Sequence, residues 1–307
     1  MGLKPPVAGP ILDRDKARAK EFVDRMADRV AGNHKPARLR RLPKPKLKRQ
    51  WHLIIGDSHA HPDDPNHRFE WLGRMVAARK PDVLIDIGDS ADMPSLFGYE
   101  RGANGPSYEG HRYWRDIDAY IDAQERLFSS MGKWRPKRMV KTRGNHEQRI
   151  ERVAESDPKF EGIIGVHNLE EERFGWEVTD FKEHVEIDGI LYTHAFHTPR
   201  GGGAIGGVMP ARQMILKIPG SHCRVQGHSH LFQFYEEADS SNLGEVCGRK
   251  ITSIHCGAFF DINSNAHRWA GYSIHQWRSG ILELEVEAGQ IAGIQFTDLS
   301  TIQFLYG

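Results

Sequence analysis

Three strand-length apolar runs, HLII at 52–55, VLIDI at 83–87 and RMVKT at 138–142, each lead within two residues to a glycine. Acidic, amide or imidazole residues follow each glycine: GDSH, GDSAD and GNHE. Helical periodicity fills the gaps, at 68–80 after a Pro/Asn/Asp cluster and at 113–131, and a further helix is predicted to open near Glu147. Strands alternating with helices form βαβ units, and βαβ units place their strands parallel in a layered sheet. The loops after such strands then gather at one rim, where ligands of open α/β sheets bind.

Beyond Glu183 the text becomes richer in strand. HVEIDGILYTH carries a hairpin turn at Asp188-Gly189, and CRVQGH, ITSIH, YSIHQW and ILELEVE read as further short strands. These predict a second, more antiparallel sheet. Two sheets face to face with helices outside give the expected fold class, an α/β protein built as a four-layer α/β/β/α sandwich of two mixed sheets.

The chain has 307 residues, long enough for one elaborated α/β domain, and no Ser/Gly linker divides its middle. Residues 51–307 therefore form the expected catalytic domain. Residues 1–50 stand apart as an amphipathic helix at 13–31, with Phe22, Val23, Met26 and Val30 at helical spacing, followed by a basic segment. That segment, KPARLRRLPKPKLKR at 35–49, holds eight Lys or Arg and no acid, although the whole chain has a formal charge of only +1. Localised positive charge of this kind attracts nucleic-acid phosphates, and it equally makes a solvated linker. No apolar run approaches the length that spans a bilayer and no signal-peptide core opens the chain, so a cytoplasmic protein without membrane contact is expected. Cys223, Cys247 and Cys256 are widely spaced and read as reduced thiols.

Five clusters carry the chemistry: GDSHAH at 56–61, GDSAD at 88–92, RGNHE at 143–147, THAF at 193–196 and GHSH at 227–230. Carboxylate, imidazole and a neutral amide oxygen suit Mn, Fe, Zn or Co and serve a Mg-only site poorly. A pair of ions about 3.5–4 Å apart needs ligands from several loops, which five strand-end clusters can supply.

In order and spacing, D-x-H, G-D-x-x-D, G-N-H-E, a lone histidine after a strand and G-H-x-H resemble the calcineurin-like metallophosphoesterase superfamily. The likeness spans roughly residues 51–287 and leaves the first fifty unmatched. It implies two divalent metal ions, manganese first, with iron, zinc, nickel or cobalt as alternatives. Asp57, His59 and His230 resemble ligands of the first ion, Asp89 the carboxylate bridging both, and Asn145, His194 and His228 ligands of the second. His146 resembles the non-ligand histidine that protonates or stabilises the leaving oxygen, with Asp92 orienting it or a metal ligand. Arg143, directly before GNHE, is shared with the phosphoprotein phosphatase branch, where it grips a phosphate oxygen. The second block here reads GDSAD rather than that branch's GDYVDRG. The implied reaction is in-line attack of a metal-bridging hydroxide on phosphorus.

Other residues read differently. His52, His184 and His275 are structural, Gly32-Asn33-His34 repeats the GNH letters without the acid, and His61 yields to His59 on D-x-H spacing. Asp86 points away from Asp89 by strand alternation and serves as a structural carboxylate. The loop HTPRGGGAIGGV at 197–208 carries Arg200 and lacks a P-loop pattern. An aromatic and glycine-rich insertion at 94–114 lies where specificity often resides. The leading function is hydrolysis of a phosphodiester, nucleic acid or nucleotide included. A phosphomonoesterase acting on phosphoprotein or small phosphorylated molecules, a non-catalytic metal-binding scaffold and a nucleic-acid binder using only residues 35–49 are the competitors.

Overall fold

The computed structural model describes residues 20–21, 24, 48–97, 110–199, 202–239 and 249–307. Chain contacts divide the protein into units Met1–Lys46 and Leu47–Gly307. Of the first, Lys20, Glu21 and Asp24 are helical. The rest of the expected 13–31 helix, the basic segment before Lys48, the GNH at 32–34, Cys247, Arg200 and most of the 94–114 insertion lie outside the described residues.

In the second unit, β1 (Gln50–Ile55), β2 (Val83–Asp86), β3 (Arg138–Thr142) and β4 (Glu177–Thr179) run parallel, with α1 (His67–Arg79), α2 (Tyr113–Ser130) and α3 (Asn145–Ser156) in the connections. β10 (Gly280–Glu287) pairs antiparallel with β1, and β11 (Gln290–Asp298) with β10, which completes a six-stranded mixed sheet. The second sheet has the order β5 (Val185–Ile187), β6 (Ile190–Thr193), β7 (Cys223–Gln226), β9 (Lys250–Cys256), β8 (Phe232–Ala238). Its three central strands are parallel and its edge strands antiparallel. The remaining helices are α4 (Pro210–Lys217) and α5 (Leu299–Tyr306). The fold is α/β, with two mixed sheets flanked by helices.

Strand alternation builds the layers. In β1, Leu53 and Ile55 point to a core shared with Phe69, Leu72 and Met75 of α1 and Tyr120 and Leu127 of α2. Ile54, between them, faces the other sheet and packs with Ile85, Val140, Tyr192, Val225 and Ile254. A smaller cluster of Phe196, Ile205 and Met214 lies beneath α4. The Asp188-Gly189 turn has positive φ at both residues (50° and 81°), the backbone that a two-residue hairpin requires.

YSIHQW is not a strand. It ends a run of 3-10 turns at Asn265–Gln276 that Ser264 opens by accepting from the Ala266 N–H. Tyr272, which a strand would direct into a core, is 89% exposed, so the apolar alternation there serves no sheet face. Strands β8 and β11 were unforeseen, although FQFYEEA alternates and Ala288-Gly289 (φ 49° and 74°) forms the turn joining β10 to β11.

Candidate metal centre

The five clusters meet at the carboxyl ends of the parallel strands of both sheets. Asp57 follows β1, Asp89 follows β2, Asn145 follows β3, His194 follows β6 and His228 follows β7. Short hydrogen bonds sew these loops together: the His59 and Ala60 N–H groups donate to the Asp89 and Ser90 carbonyls, and the Gly227 N–H to the His194 carbonyl.

Three groups of side chains here could hold a metal ion: Asp57, His59 and His230; Asp89, His194 and His228; and His59, Asp92 and His146. In the first, His59 Nε2 stands 3.2 Å from His230 Nε2, which lies 3.1 Å from Asp57 Oδ2. His59 Nδ1 contacts Asp92 Oδ1 at 2.7 Å, so its proton is held there and Nε2 presents a lone pair inward. Asp57 Oδ2 is fully buried without a hydrogen-bond partner.

In the second group the electronics are sharper. His194 Nδ1 donates to the Ile87 carbonyl at 3.1 Å, which leaves Nε2 as a lone pair. That lone pair faces Asn145 Oδ1 at 3.1 Å, His228 Nδ1 at 3.3 Å and Asp89 Oδ2 at 3.4 Å, and His228 Nδ1 faces Asn145 Oδ1 at 2.9 Å. With His228 in its Nε2–H tautomer these atoms are all acceptors, which repel one another in a buried space unless a cation lies among them, so this donor set fits a bound divalent ion. Burial, then the neighbouring His194, pushes the His228 imidazole down to about 4, which keeps it neutral and able to ligate at pH 7.

Around these residues the backbone is strained and braced. His59, Asp89, His228 and His230 all adopt left-handed φ (41°, 49°, 69° and 58°), a region that costs a non-glycine residue roughly 1–2 kcal/mol. Glycines make room: a Cβ on Gly144 would stand 2.0 Å from Asp89 Oδ1, and one on Gly227 2.2 Å from Asp57 Oδ1. Glu147 is the brace that sequence reasoning left without a role. Fully buried, its carboxylate accepts from the N–H groups of Asp89 and Gly144 through Oε2 and of Ser90 and Ala91 through Oε1. One side chain thus ties the Asp89 loop to the start of α3.

Asp92 Oδ1 is 3.1 Å from His146 Nδ1 as well as bonded to His59. Burial opposes its ionisation, but the bonds from His146 and His59 outweigh burial and hold the carboxyl well below its usual range. His146 donates Nδ1–H to the Asp92 carbonyl at 2.6 Å, and its Nε2 is 3.7 Å from Asp89 Oδ2. Burial disfavours the imidazolium, yet the Asp89 carboxylate prevails and raises its pKa.

Arg143 is not brought to the cluster. Its Nε and Nη2 donate to Glu171 Oε2 (3.1 and 2.6 Å) and its Nη1 to Asp180 Oδ1 (2.6 Å), so two carboxylates hold the guanidinium expected to grip phosphate. Arg149, which the sequence reading passed over, is beside the site instead: Nη2 donates to His146 Nε2 at 2.8 Å. The signal was its place one helical turn after His146. His267 was also missed; it lies buried against Phe260, its ring 3.9 Å from the Phe260 ring and 6.0 Å from that of His59. His61 is buried beside Asp92 but joins none of the three groups. Asp86 accepts from Ser90 Oγ, the Gly88 N–H and Lys141 Nζ, a structural pattern of bonds. His52 joins Tyr192 OH and Asp188 between the sheets.

No helix among the described residues is long and apolar enough to cross a membrane. No family model matches the chain, and no curated protein matches it. Among solved structures, one crystal structure aligns with 82% of this chain and 100% of its own length, at 12% identity and a TM-score of 0.41, which is too remote to carry a functional argument.

Proposed function

We propose that the chain is a dinuclear metal-dependent phosphoesterase that hydrolyses a phosphodiester. The observation that carries this reading is the convergence of acceptor atoms around His194 Nε2, whose lone-pair state is fixed by the Ile87 carbonyl. Asp57, His59 and His230 would hold one ion and Asn145, His194 and His228 the other, with Asp89 shared between them. When bound, such ions supply Lewis-acid chemistry, neutralising charge on phosphoryl oxygens and making water acidic enough to attack at neutral pH.

The chain's own residues set the stage for that chemistry. Asp92 fixes the His59 tautomer, the Ile87 carbonyl fixes that of His194, and the His146 N–H donates to Asp89 Oδ1 at 2.8 Å to hold the carboxylate's plane. His146, with Nδ1 anchored on the Asp92 carbonyl, has Nε2 on the Asp89 side of the cluster, where it could meet a leaving oxygen once the bond from Arg149 Nη2 gives way. A diester is favoured over a monoester on two grounds: the eight positive residues at 35–49 suit a polyanion, and the Arg143 clamp that a terminal phosphate would use is engaged by Glu171 and Asp180.

The test loads the full chain with Mn, Ni, Co or Zn and compares hydrolysis of bis-p-nitrophenyl phosphate with that of p-nitrophenyl phosphate. Faster turnover of the diester is expected. The reverse order removes the diester preference, and no turnover of either with metal bound returns the protein to the class of metal-binding scaffolds.

A further inference from the structure

Among the described residues, Lys141 of β3 is the one lysine that is fully buried. The parallel register sets it directly beside Asp86, the last residue of β2, and its Nζ lies 3.3 Å from Asp86 Oδ2 and 2.7 Å from the Tyr120 hydroxyl of α2. Nζ is also 3.9 Å from Glu171 Oε1, an oxygen with no hydrogen-bond partner. Burial disfavours the ammonium, but Asp86, with Tyr120 and Glu171, outweighs burial and raises its pKa, so the charge is kept.

Each carboxylate beside Lys141 goes on to hold a loop that carries a proposed ligand. Asp86 Oδ1 accepts from the Gly88 N–H at 3.1 Å, and Ser90 Oγ donates into the same carboxylate, 2.7 Å from Oδ1 and 2.8 Å from Oδ2. Gly88 and Ser90 flank Asp89, and Gly88 and Asp89 both have left-handed φ (94° and 49°). Glu171 Oε2 accepts from Nε and Nη2 of Arg143, two residues before Asn145. One ammonium therefore anchors the carboxylates that restrain the loops after β2 and β3. A buried ion pair adds little stability over well-packed apolar side chains, whereas losing one partner leaves the other charge uncompensated. What this pair supplies is direction: it fixes the Asp86 carboxylate that grips the Asp89 turn on both sides.

We propose that Lys141 is a positioning residue of the candidate metal centre, fixing through Asp86 the Gly88-to-Ser90 turn that carries Asp89. It acts through Asp86, not on a ligand directly. The inference rests on the metal-dependent reading above for its ions, and it adds to that reading a residue that no motif marks. Without the ammonium, Asp86 holds an uncompensated buried charge and must shift to shed it. The turn then loses its grip on the Asp86 side, while Glu147 still holds the Asp89 and Ser90 N–H groups.

The test titrates manganese into the metal-free full chain for the wild type, Lys141→Met, Ser90→Ala and the double variant, with thermal unfolding of the metal-free proteins measured on the same samples. Methionine fills the space with an unbranched apolar stem. Ser90→Ala breaks the contact with Asp86 without leaving a buried charge unpaired, and it covers the case in which Lys141→Met does not fold. Manganese affinity should fall about tenfold in Lys141→Met and about threefold in Ser90→Ala, and the double variant should be no weaker than Lys141→Met alone, because both changes cut one path. A merely structural role would lower Tm and leave the manganese affinity of the folded protein unchanged. Folded Lys141→Met with wild-type manganese affinity overturns the assignment, and so do two losses that multiply in the double variant. If Lys141→Met does not fold, wild-type affinity in Ser90→Ala overturns it and a weakened one supports it. A wild type that binds manganese no more tightly than its folded variants keeps the metal centre and removes Lys141 from its support; a wild type that binds no manganese removes both.

Discussion

Replacing Glu147 with glutamine tests whether the site is held by one buried carboxylate. That carboxylate accepts four backbone N–H groups, two on each oxygen, at 2.7 to 3.0 Å. Glutamine keeps the shape but offers one oxygen, so its amide nitrogen must face two N–H donors that have nowhere else to go. A hydrogen bond to a charged acceptor contributes about 1.5–3 kcal/mol, so two lost bonds set a ceiling of about 3–6 kcal/mol. Partial relaxation of the loops brings the expected cost to roughly 3 kcal/mol. In a domain of this size that lowers Tm by about 6–12 °C. Because the lost donors belong to the Asp89 loop and to Gly144, manganese affinity should fall about tenfold or more as well. Thermal unfolding with and without manganese, together with metal titration, reads both effects. A Glu147→Gln protein whose Tm stays within about 2 °C of wild type in both states, with metal affinity retained, refutes the bracing argument.

Gly227→Ala puts a Cβ at 2.2 Å from Asp57 Oδ1 and 2.7 Å from Ile87 Cγ2, so Asp57 must move and metal titration should show at least one site weakened about tenfold; two intact sites contradict the packing. Arg143→Ala leaves buried Glu171 with Lys141 as its remaining cation and should cost about 2–4 kcal/mol in denaturant unfolding, with phosphate affinity of the manganese-loaded chain little changed; a large loss of phosphate affinity restores Arg143 as the clamp. His255 is fully buried, with Ser229 Oγ 2.6 Å from Nδ1, and burial pushes it down to about 3. Since its folded pKa lies below the unfolded value near 6.5, the unfolded chain binds the extra proton between pH 6.5 and 3. The contribution is fully present above about 6.5 and is lost as pH falls, at about 1.4 kcal/mol per pH unit from this group. His255→Gln should flatten the slope of stability against pH in that window, and an unchanged slope counts against a neutral, buried His255.

What the sequence made legible is what depends on near neighbours. The run RMVKT became β3 with the boundaries its letters imply, and Asp188-Gly189 became a hairpin turn, because alternation and left-handed turn residues act within a few positions. The convergence of Asp57, Asp89, Asn145, His194 and His228 followed one step further on, since parallel strands carry their following loops to a common edge. Arg143 shows where that logic stops. Its carboxylate partners lie 28 and 37 residues away, on a stretch of short turns and a loop whose placement no motif announces. Glu147 was visible as a letter of GNHE, but three of its four bonds come from backbone N–H groups 56 to 58 residues earlier, and backbone donors leave no mark in a sequence.

The left-handed residues join these two halves. His59, Asp89, His228 and His230 occupy a backbone region that their own side chains disfavour, at a combined cost on the order of 4–8 kcal/mol. Local propensity does not produce that arrangement. It persists because Gly144 and Gly227 leave room for the two aspartates, Glu147 gathers the N–H groups of the Asp89 loop, and the loop carbonyls accept from the neighbouring strand ends. The strained backbone in turn aims each side chain inward, which turns ordinary ligand letters into acceptors that face one another across about 3 Å. Strained backbone that brings these side chains together leaves a site that could hold a cation, and the restraints on Asp89 bear on that capacity as much as Asp89 itself.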